Sequence, residues 1–374
     1  MEQIEIRSPR TDEFTAFQRF LERCYGHSYG FFLRHYPHLN QGDELSLASS
    51  LIAAQGGEIL SHVGAFPLEI IAGPARIKAG GIGGVATLPQ ARGKGLMSRL
   101  MAEAIALMRR RGEVLSVLWG DRQRYRHFGY ESCGLMWNLT LTARSLAAAG
   151  VQPIPVEEAD PTDPAAAAQV AAWHQRLAFR VERPHLPQML AKEGVRVFLS
   201  DRGYGLARGE GRDLRLLEVA AAEGDEPGIV AGIMARAFAN SASLDVVPAD
   251  AGPAARLARA AARWSVSPQG MFRILDWPGL LRALQPLLAE RARFLAPFEL
   301  AVGCRDQDRV DVATLRWDGA QLAVESGRAG SAYIELDSVE LVGLVLGGPT
   351  QLAGAQVLSH IFPVPLHVPL LDHV

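Results

Sequence analysis

Residues 85–97, Val-Ala-Thr-Leu-Pro-Gln-Ala-Arg-Gly-Lys-Gly-Leu-Met, constrain the fold more tightly than any other stretch of the chain. Pro89 has no N–H to give to a sheet ladder, so a strand reaching Leu88 must stop there. Arg92, Gly93, Lys94 and Gly95 then form a short basic loop. Across residues 92–111, Leu96, Leu100, Ala104, Ile105 and Met108 recur at helical spacing and predict a long amphipathic helix. A strand, a glycine loop and a helix in this order aim several backbone N–H groups and the positive end of the helix dipole at one point. The glycines let an anion approach without a side chain in the way. A pyrophosphate is the expected occupant, with Arg92 and Lys94 adding charge at the rim.

Three neighbouring strings are weighed against this one. Gly81-Ile-Gly83-Gly-Val-Ala86 spells a dinucleotide fingerprint, but it precedes a strand segment and leads to Pro89 instead of opening a helix. No four-residue interval ends in Gly-Lys-Ser/Thr, which disfavours nucleoside triphosphate hydrolysis. His35-x-x-His38 contains Pro37, which breaks the helix that would align two imidazoles on one metal, so no metal is expected.

A chain of 374 residues predicts two or three domains at roughly 150 residues each. Its 38 basic and 40 acidic residues leave a formal charge of −2, without the basic field of a nonspecific nucleic-acid binder. Hydrophobic residues make up 48%, yet no apolar run nears the ~18 residues of a membrane span. Neither nucleic acid nor membrane is an expected partner. The acidic, polar start at residues 1–5 and the three cysteines, Cys24, Cys133 and Cys304, which make no disulfide framework, predict a cytoplasmic protein.

Along the chain, a short strand at Ile4 and Ile6 precedes a helix starting at Thr11. Segments 58–71 and 77–88 flank Gly73-Pro74 and predict an antiparallel hairpin. The apolar run 114–119 predicts a strand buried on both faces. A short helix at 122–127 and a strand pair over 130–141 follow. Asp163 and Pro164 open a helix to about residue 179. Segments 204–207, 214–221, 229–239 and 244–247 then repeat the order strand, strand, helix, strand. After Met271 come a helix following Pro278 and a β meander with an Asp318-Gly319 turn between 310–317 and 321–324. Helices at 339–346 and 351–360 precede an extended, proline-rich tail, 363–374.

The loop at Arg92–Met97 resembles the coenzyme A loop of the GCN5-related N-acetyltransferases (GNATs), which reads Arg/Gln-x-x-Gly-x-Gly/Ala between a strand and a helix. Pro89 and the helix stripe favour the register Arg92-x-x-Gly95-x-Met97 over Gln90-x-x-Gly93-x-Gly95, with Met97 replacing the usual small residue. Downstream, Tyr125-Arg-His-Phe128-Gly129-Tyr130 is similar to the family's segment after its fifth strand. The whole chain resembles the enhanced-intracellular-survival type. That resemblance implies an α+β fold of two tandem acetyltransferase-type mixed-sheet lobes plus a sterol-carrier-like α/β domain. The catalytic lobe would span 1–145, the degenerate lobe 146–268, and the C-terminal domain 269–374, with a tail reaching the active site. In the degenerate lobe, Ala221-Ala-Glu-Gly-Asp-Glu-Pro227 stands where the loop belongs, and its acids repel phosphate.

The resemblance further implies an acetyl-CoA-dependent N-acetyltransferase with direct transfer in a ternary complex, and a homo-oligomer. Val85, Thr87, Arg92, Gly93, Lys94, Gly95, Leu96 and Met97 would hold acetyl-CoA, the Val85 and Thr87 N–H groups along its pantetheine arm. Tyr125 would be the acid that protonates the leaving thiolate. The base would be the terminal carboxylate, here Val374, with Asp372, His373 or ordered water as alternatives. His27, Phe31 and His35 sit where the family walls its acceptor pocket. The acceptor would be a small polyamine, an aminoglycoside-like amine or a lysine amine, although no acidic cluster in 27–38 selects a polycation. Two rival readings are a lipid-binding protein working through its C-terminal domain and a coenzyme-A-binding pseudoenzyme.

Overall fold

A computed structural model describes residues 3–209, 211–248, 252–349 and 356–374. Contacts gather the chain into two units: 1–133 with 270–364 and Val374, and 134–269 with 365–373.

In the first unit, strands Glu5–Arg7, Ser50–Gln55, Glu58–Ala72, Ala75–Thr87 and Leu115–Leu118 lie side by side in that order, and residues 271–274 extend the sheet. The predicted hairpin is present as Glu58–Ala72 against Ala75–Thr87, turning at Gly73-Pro74. All four residues of Leu115–Leu118 are buried. That strand runs parallel to Ala75–Thr87, which requires a crossover, supplied by the helix Leu96–Arg110. This helix buries Leu96, Leu100, Met101, Ala104, Ile105 and Met108, the apolar stripe of the sequence. The pairing with Leu115–Leu118 ends at Ile82, while its partner strand continues to Thr87.

Residues 270–349 add the helix Trp277–Ala292, capped by Asp276, and a separate four-stranded sheet. Its order is Leu322–Ser326, Arg309–Trp317, Phe298–Asp306, Tyr333–Asp337. Asp318 Oδ1 accepts from the N–H groups of Ala320 and Gln321 at 2.7 Å, closing the predicted turn at Gly319.

The second unit repeats the crossover. Strands Asp213–Ala221 and Ser241–Val246 run parallel and are joined by the helix Glu226–Arg236. Here the helix begins at Asp225-Glu226-Pro227, and Glu226 is buried in a two-pronged ion pair with Arg256 at 2.8 and 2.9 Å. A single glycine, Gly224, precedes it; Asp225 pairs with Arg202 at 2.6 Å, and Glu223 is exposed.

Two expectations are corrected, and one strand lies where none was expected. The strand pair over 130–141 is one strand, Glu131–Thr142, whose residues 137–142 pair with Ser241–Val246. The helix from Pro164 ends at His174, where Arg176 N and Leu177 N donate to Trp173 O and His174 O at 3.0 Å in tight turns that lead to the strand Phe179–Val181. Arg263–Ile274 is a strand despite Pro268, the residue that hid it from a pattern reading. Of the helix expected at 351–360, residues 351–355 lie outside the described residues, and Gln356–Ile361 is helical. Among the described residues no helix is long and apolar enough to cross a membrane.

Candidate active site

Two cavities of the first unit are lined by residues 83–87, the stretch of strand beyond the last pair with Leu115–Leu118. The larger, about 630 Å³, is walled by Val85, Thr87, Arg92, Gly93, Gly95 and the first helical residues Leu96, Met97 and Ser98. Gly95 is the helix N-cap at φ +70°, and it offers no side chain to the N–H groups of the first turn. A Cβ placed on Gly93 or Gly95 would meet nothing within 4 Å, so the loop stands open. An uncapped helix N terminus with this surround carries a partial positive charge and free donors for an anion.

Arg92 lines this cavity, its Nε donating to Thr87 O at 3.4 Å. Gln90 and Lys94 are exposed and outside the lining, whereas Arg124, which the sequence reading did not single out, adds a second guanidinium. The signal for Arg124 was its place in the basic helix Arg122–Arg126 beside Tyr125. Met97 packs in part against the hydrophobic core, so much of its length is accommodated inward.

The smaller cavity, about 250 Å³, brings together His27, Phe31, Gly83, Val85, Tyr125 and Val374. The two cavities share Val85 and Tyr25, and Tyr25 Oη donates to Val85 O at 3.0 Å. His27 and Phe31 stack at 3.6 Å, and His35 stacks on Phe31 at 3.9 Å. His35 does not itself line the cavity; it supports Phe31 from behind, with Nδ1 at 3.1 Å from Phe31 O.

Tyr125 sits in the short helix that Asp121 caps, Oδ1 accepting from Arg124 N at 2.8 Å. Its ring lies over Gly120, where a Cβ would fall 2.5 Å from Cε2. Burial raises the Tyr125 phenol above its ordinary range, so it carries its proton at neutral pH. Tyr130 differs: it is fully buried and donates to Ser116 Oγ at 2.8 Å, because Ser116 Oγ itself donates to Gly80 O. Of the two tyrosines, Tyr125 faces a cavity and Tyr130 ties strands together.

The end of the chain is seated on glycines. A Cβ on Gly83 would lie 2.5 Å from the carboxyl carbon of Val374 and 2.7 Å from its oxygen, and one on Gly81 would lie 2.5 Å from Val374 Cγ2. The string that imitates a dinucleotide fingerprint is therefore the surface on which the terminal residue rests. Asp372 and His373 are placed differently. The Asp372 carboxylate is buried in the second unit against Arg183, at 2.8 and 2.6 Å, and burial pushes the His373 imidazole down to about 3. We expect Gly83→Ala to displace the Val374 carboxylate and lower kcat by about 10²-fold or more, the lower end of general-base contributions. Steady-state kinetics at saturating substrates check this; an unchanged kcat would separate the carboxylate from the chemistry.

His62, also unforeseen, fixes the strand where the cavities meet. Ladder register shifts between His62 and Gly64, with two residues, Gly84 and Val85, opposite one. His62 Nδ1 donates to Gly84 O at 2.7 Å, and its ring meets Phe17 edge-on. Burial lowers the imidazole to about 4. Its folded value lies below the unfolded one of about 6.5, so the unfolded chain binds the proton first and stability falls as pH drops from 6.5 towards 4. Denaturant titrations should show wild type losing up to about 2 kcal/mol more than His62→Asn between pH 7 and pH 5. Equal losses would contradict the assignment.

Residues 5–133 match the family model of the acetyltransferase (GNAT) domain. Among curated proteins, none matches the sequence significantly. Among solved structures, a GCN5-related N-acetyltransferase from Kribbella flavida shares 18% identity over 98% of this chain and 97% of that one, with a TM-score of 0.73. A GCN5-related N-acetyltransferase from Anabaena variabilis shares 15% over 98% and 100%, with a TM-score of 0.72. Eis1 from Mycobacterium abscessus shares 16% over 96% of both chains, with a TM-score of 0.67. The fold of this chain is theirs along nearly its whole length, and residues 5–133 form a GNAT acetyltransferase domain.

Proposed function

We propose, from the premise that residues 5–133 are a GNAT acetyltransferase domain, that the chain transfers the acetyl group of acetyl-CoA directly to an amine within a ternary complex. The observation that carries this reading is the meeting at Val85 of an open helix N terminus and a cavity holding both a phenol and a carboxylate. Gly93, Gly95 and the N–H groups of Leu96 to Ser98 would take the diphosphate, with Arg92 and Arg124 beside them. The strand end from Val85 to Thr87 would pair with the pantetheine arm as an added strand.

The chemistry needs a neutral amine, because an ammonium has no lone pair with which to attack. The Val374 carboxylate would accept that proton. Attack on the thioester carbonyl gives a tetrahedral oxyanion, for which a backbone N–H at Val85 is the donor in reach of the strand end. Collapse expels a thiolate, whose conjugate acid has a reference pKa of ~8.5. The protonated Tyr125 would give it a proton. Three features belong to the same reading: a sterol-carrier-like domain at 269–374, a homo-oligomeric state and a cytoplasmic location. The sheet Phe298–Asp306 with its neighbours, set with the helix Trp277–Ala292, supports the first.

Release of free thiol from acetyl-CoA, measured with and without amines, tests the proposal. Amine-dependent release is expected. Coenzyme binding without release for any amine would leave only a coenzyme-binding protein.

A further inference from the structure

We infer that the acceptor is a small primary amine bearing a single positive charge on an aromatic or apolar body, and not a polycation; this rests on the acetyltransferase reading above. Among the described residues lining the 250 Å³ cavity, no Asp, Glu, Lys or Arg side chain occurs, and the one formal charge is the Val374 carboxylate. Most of the wall is aromatic or aliphatic, with Tyr25, Phe31, Phe32, Phe66 and Trp119 among its faces.

The polar groups in that wall are largely engaged elsewhere. Asn40 receives Gln18 Nε2 at 2.8 Å and donates to Tyr36 O at 3.0 Å. His62 Nδ1 is spent on Gly84, which leaves its buried Nε2 as an unpaired, uncharged acceptor in the wall, and His27 is stacked on Phe31. Glu22, on the helix Phe14–Tyr25 that contributes to the wall, is buried and accepts from Gly30 N at 2.5 Å; it is not part of the lining.

Charge balance then decides between acceptor classes. One carboxylate matches one ammonium, and aromatic faces add cation-π attraction for the same group. Each further ammonium drawn inside would leave water for a wall without a counter-charge, which is strongly unfavourable. Size points the same way: about 250 Å³ lies below the roughly 300–1,000 Å³ of pockets that take drug-sized ligands. A multi-ring aminoglycoside exceeds that volume, whereas an arylalkylamine is within it and matches the aromatic lining.

The test compares kcat/KM for phenethylamine, tryptamine and benzylamine with that for spermidine and kanamycin, at saturating acetyl-CoA, in wild type and Phe31→Leu. At least about a tenfold preference for the arylalkylamines is expected, the scale of one charge or one hydrophobic contact misplaced. Phe31→Leu should raise their KM while leaving the KM of acetyl-CoA unchanged. Equal or better turnover of the polycations would overturn the inference and leave the acetyltransferase reading standing. So would an unaltered preference in Phe31→Leu. Silence with every amine, despite coenzyme binding, would overturn both.

Discussion

Tyr125→Phe is expected to lower kcat by about 10²- to 10⁴-fold, the range associated with loss of a positioned general acid, with the affinity for acetyl-CoA unchanged. The phenol lies in the same cavity as the Val374 carboxylate, and burial holds its proton in place. Phenylalanine keeps the ring over Gly120 and removes only the oxygen, so packing should survive. The effect should also depend on the leaving group. A more acidic thiol needs less help, so an acyl carrier with a better leaving thiol should recover part of the lost rate. Comparable kcat in wild type and variant would remove Tyr125 from proton transfer and return it to the structural role that Tyr130 plays.

The second large effect concerns the diphosphate. Gly95→Glu should weaken coenzyme A binding by at least about 10²-fold, measured by calorimetry. Two causes act together. Gly95 holds φ +70°, a conformation costing a side-chain-bearing residue about 1–2 kcal/mol. The new carboxylate would project into open space beside the helix N terminus, where the donors face the anion. Gly95→Ala separates the two causes, since it introduces the strain without the charge and should lose far less. Equal affinities for wild type and Gly95→Glu would place the coenzyme elsewhere.

Much of this site was legible because it is local. Pro89, the glycines at 93 and 95, and the stripe from Leu96 to Met108 specify strand end, loop and helix within one stretch. Tyr125 lies shortly after a buried strand whose apolar run is equally plain. What stayed hidden depends on partners far apart in sequence. Gly81 and Gly83 look like a phosphate fingerprint until the last residue of the chain is seen to occupy the space their missing side chains leave. His62 shows no motif; its role follows from a register shift against a strand more than twenty residues away. Arg124 was overlooked because a basic helix on a surface has an ordinary solvated explanation. Pro268 concealed a strand for a different reason, since proline in a strand is uncommon and only the fold shows that its place is tolerated.

The division of labour at the C terminus is the least expected outcome. Asp372 is committed to Arg183 inside the second unit, while Val374 groups with the first. Of the groups weighed as base, the terminal carboxylate is the one that shares a cavity with Tyr125.

A crystal structure of the protein with coenzyme A bound is the most direct test. The expected result has the diphosphate within hydrogen-bonding distance of the N–H groups of Leu96 to Ser98, the pantetheine arm along Val85 to Thr87, and the sulfur directed at Tyr125. A fully occupied coenzyme bound away from the Gly93 to Ser98 loop, or with its sulfur turned from the cavity that holds Tyr125 and Val374, would contradict it.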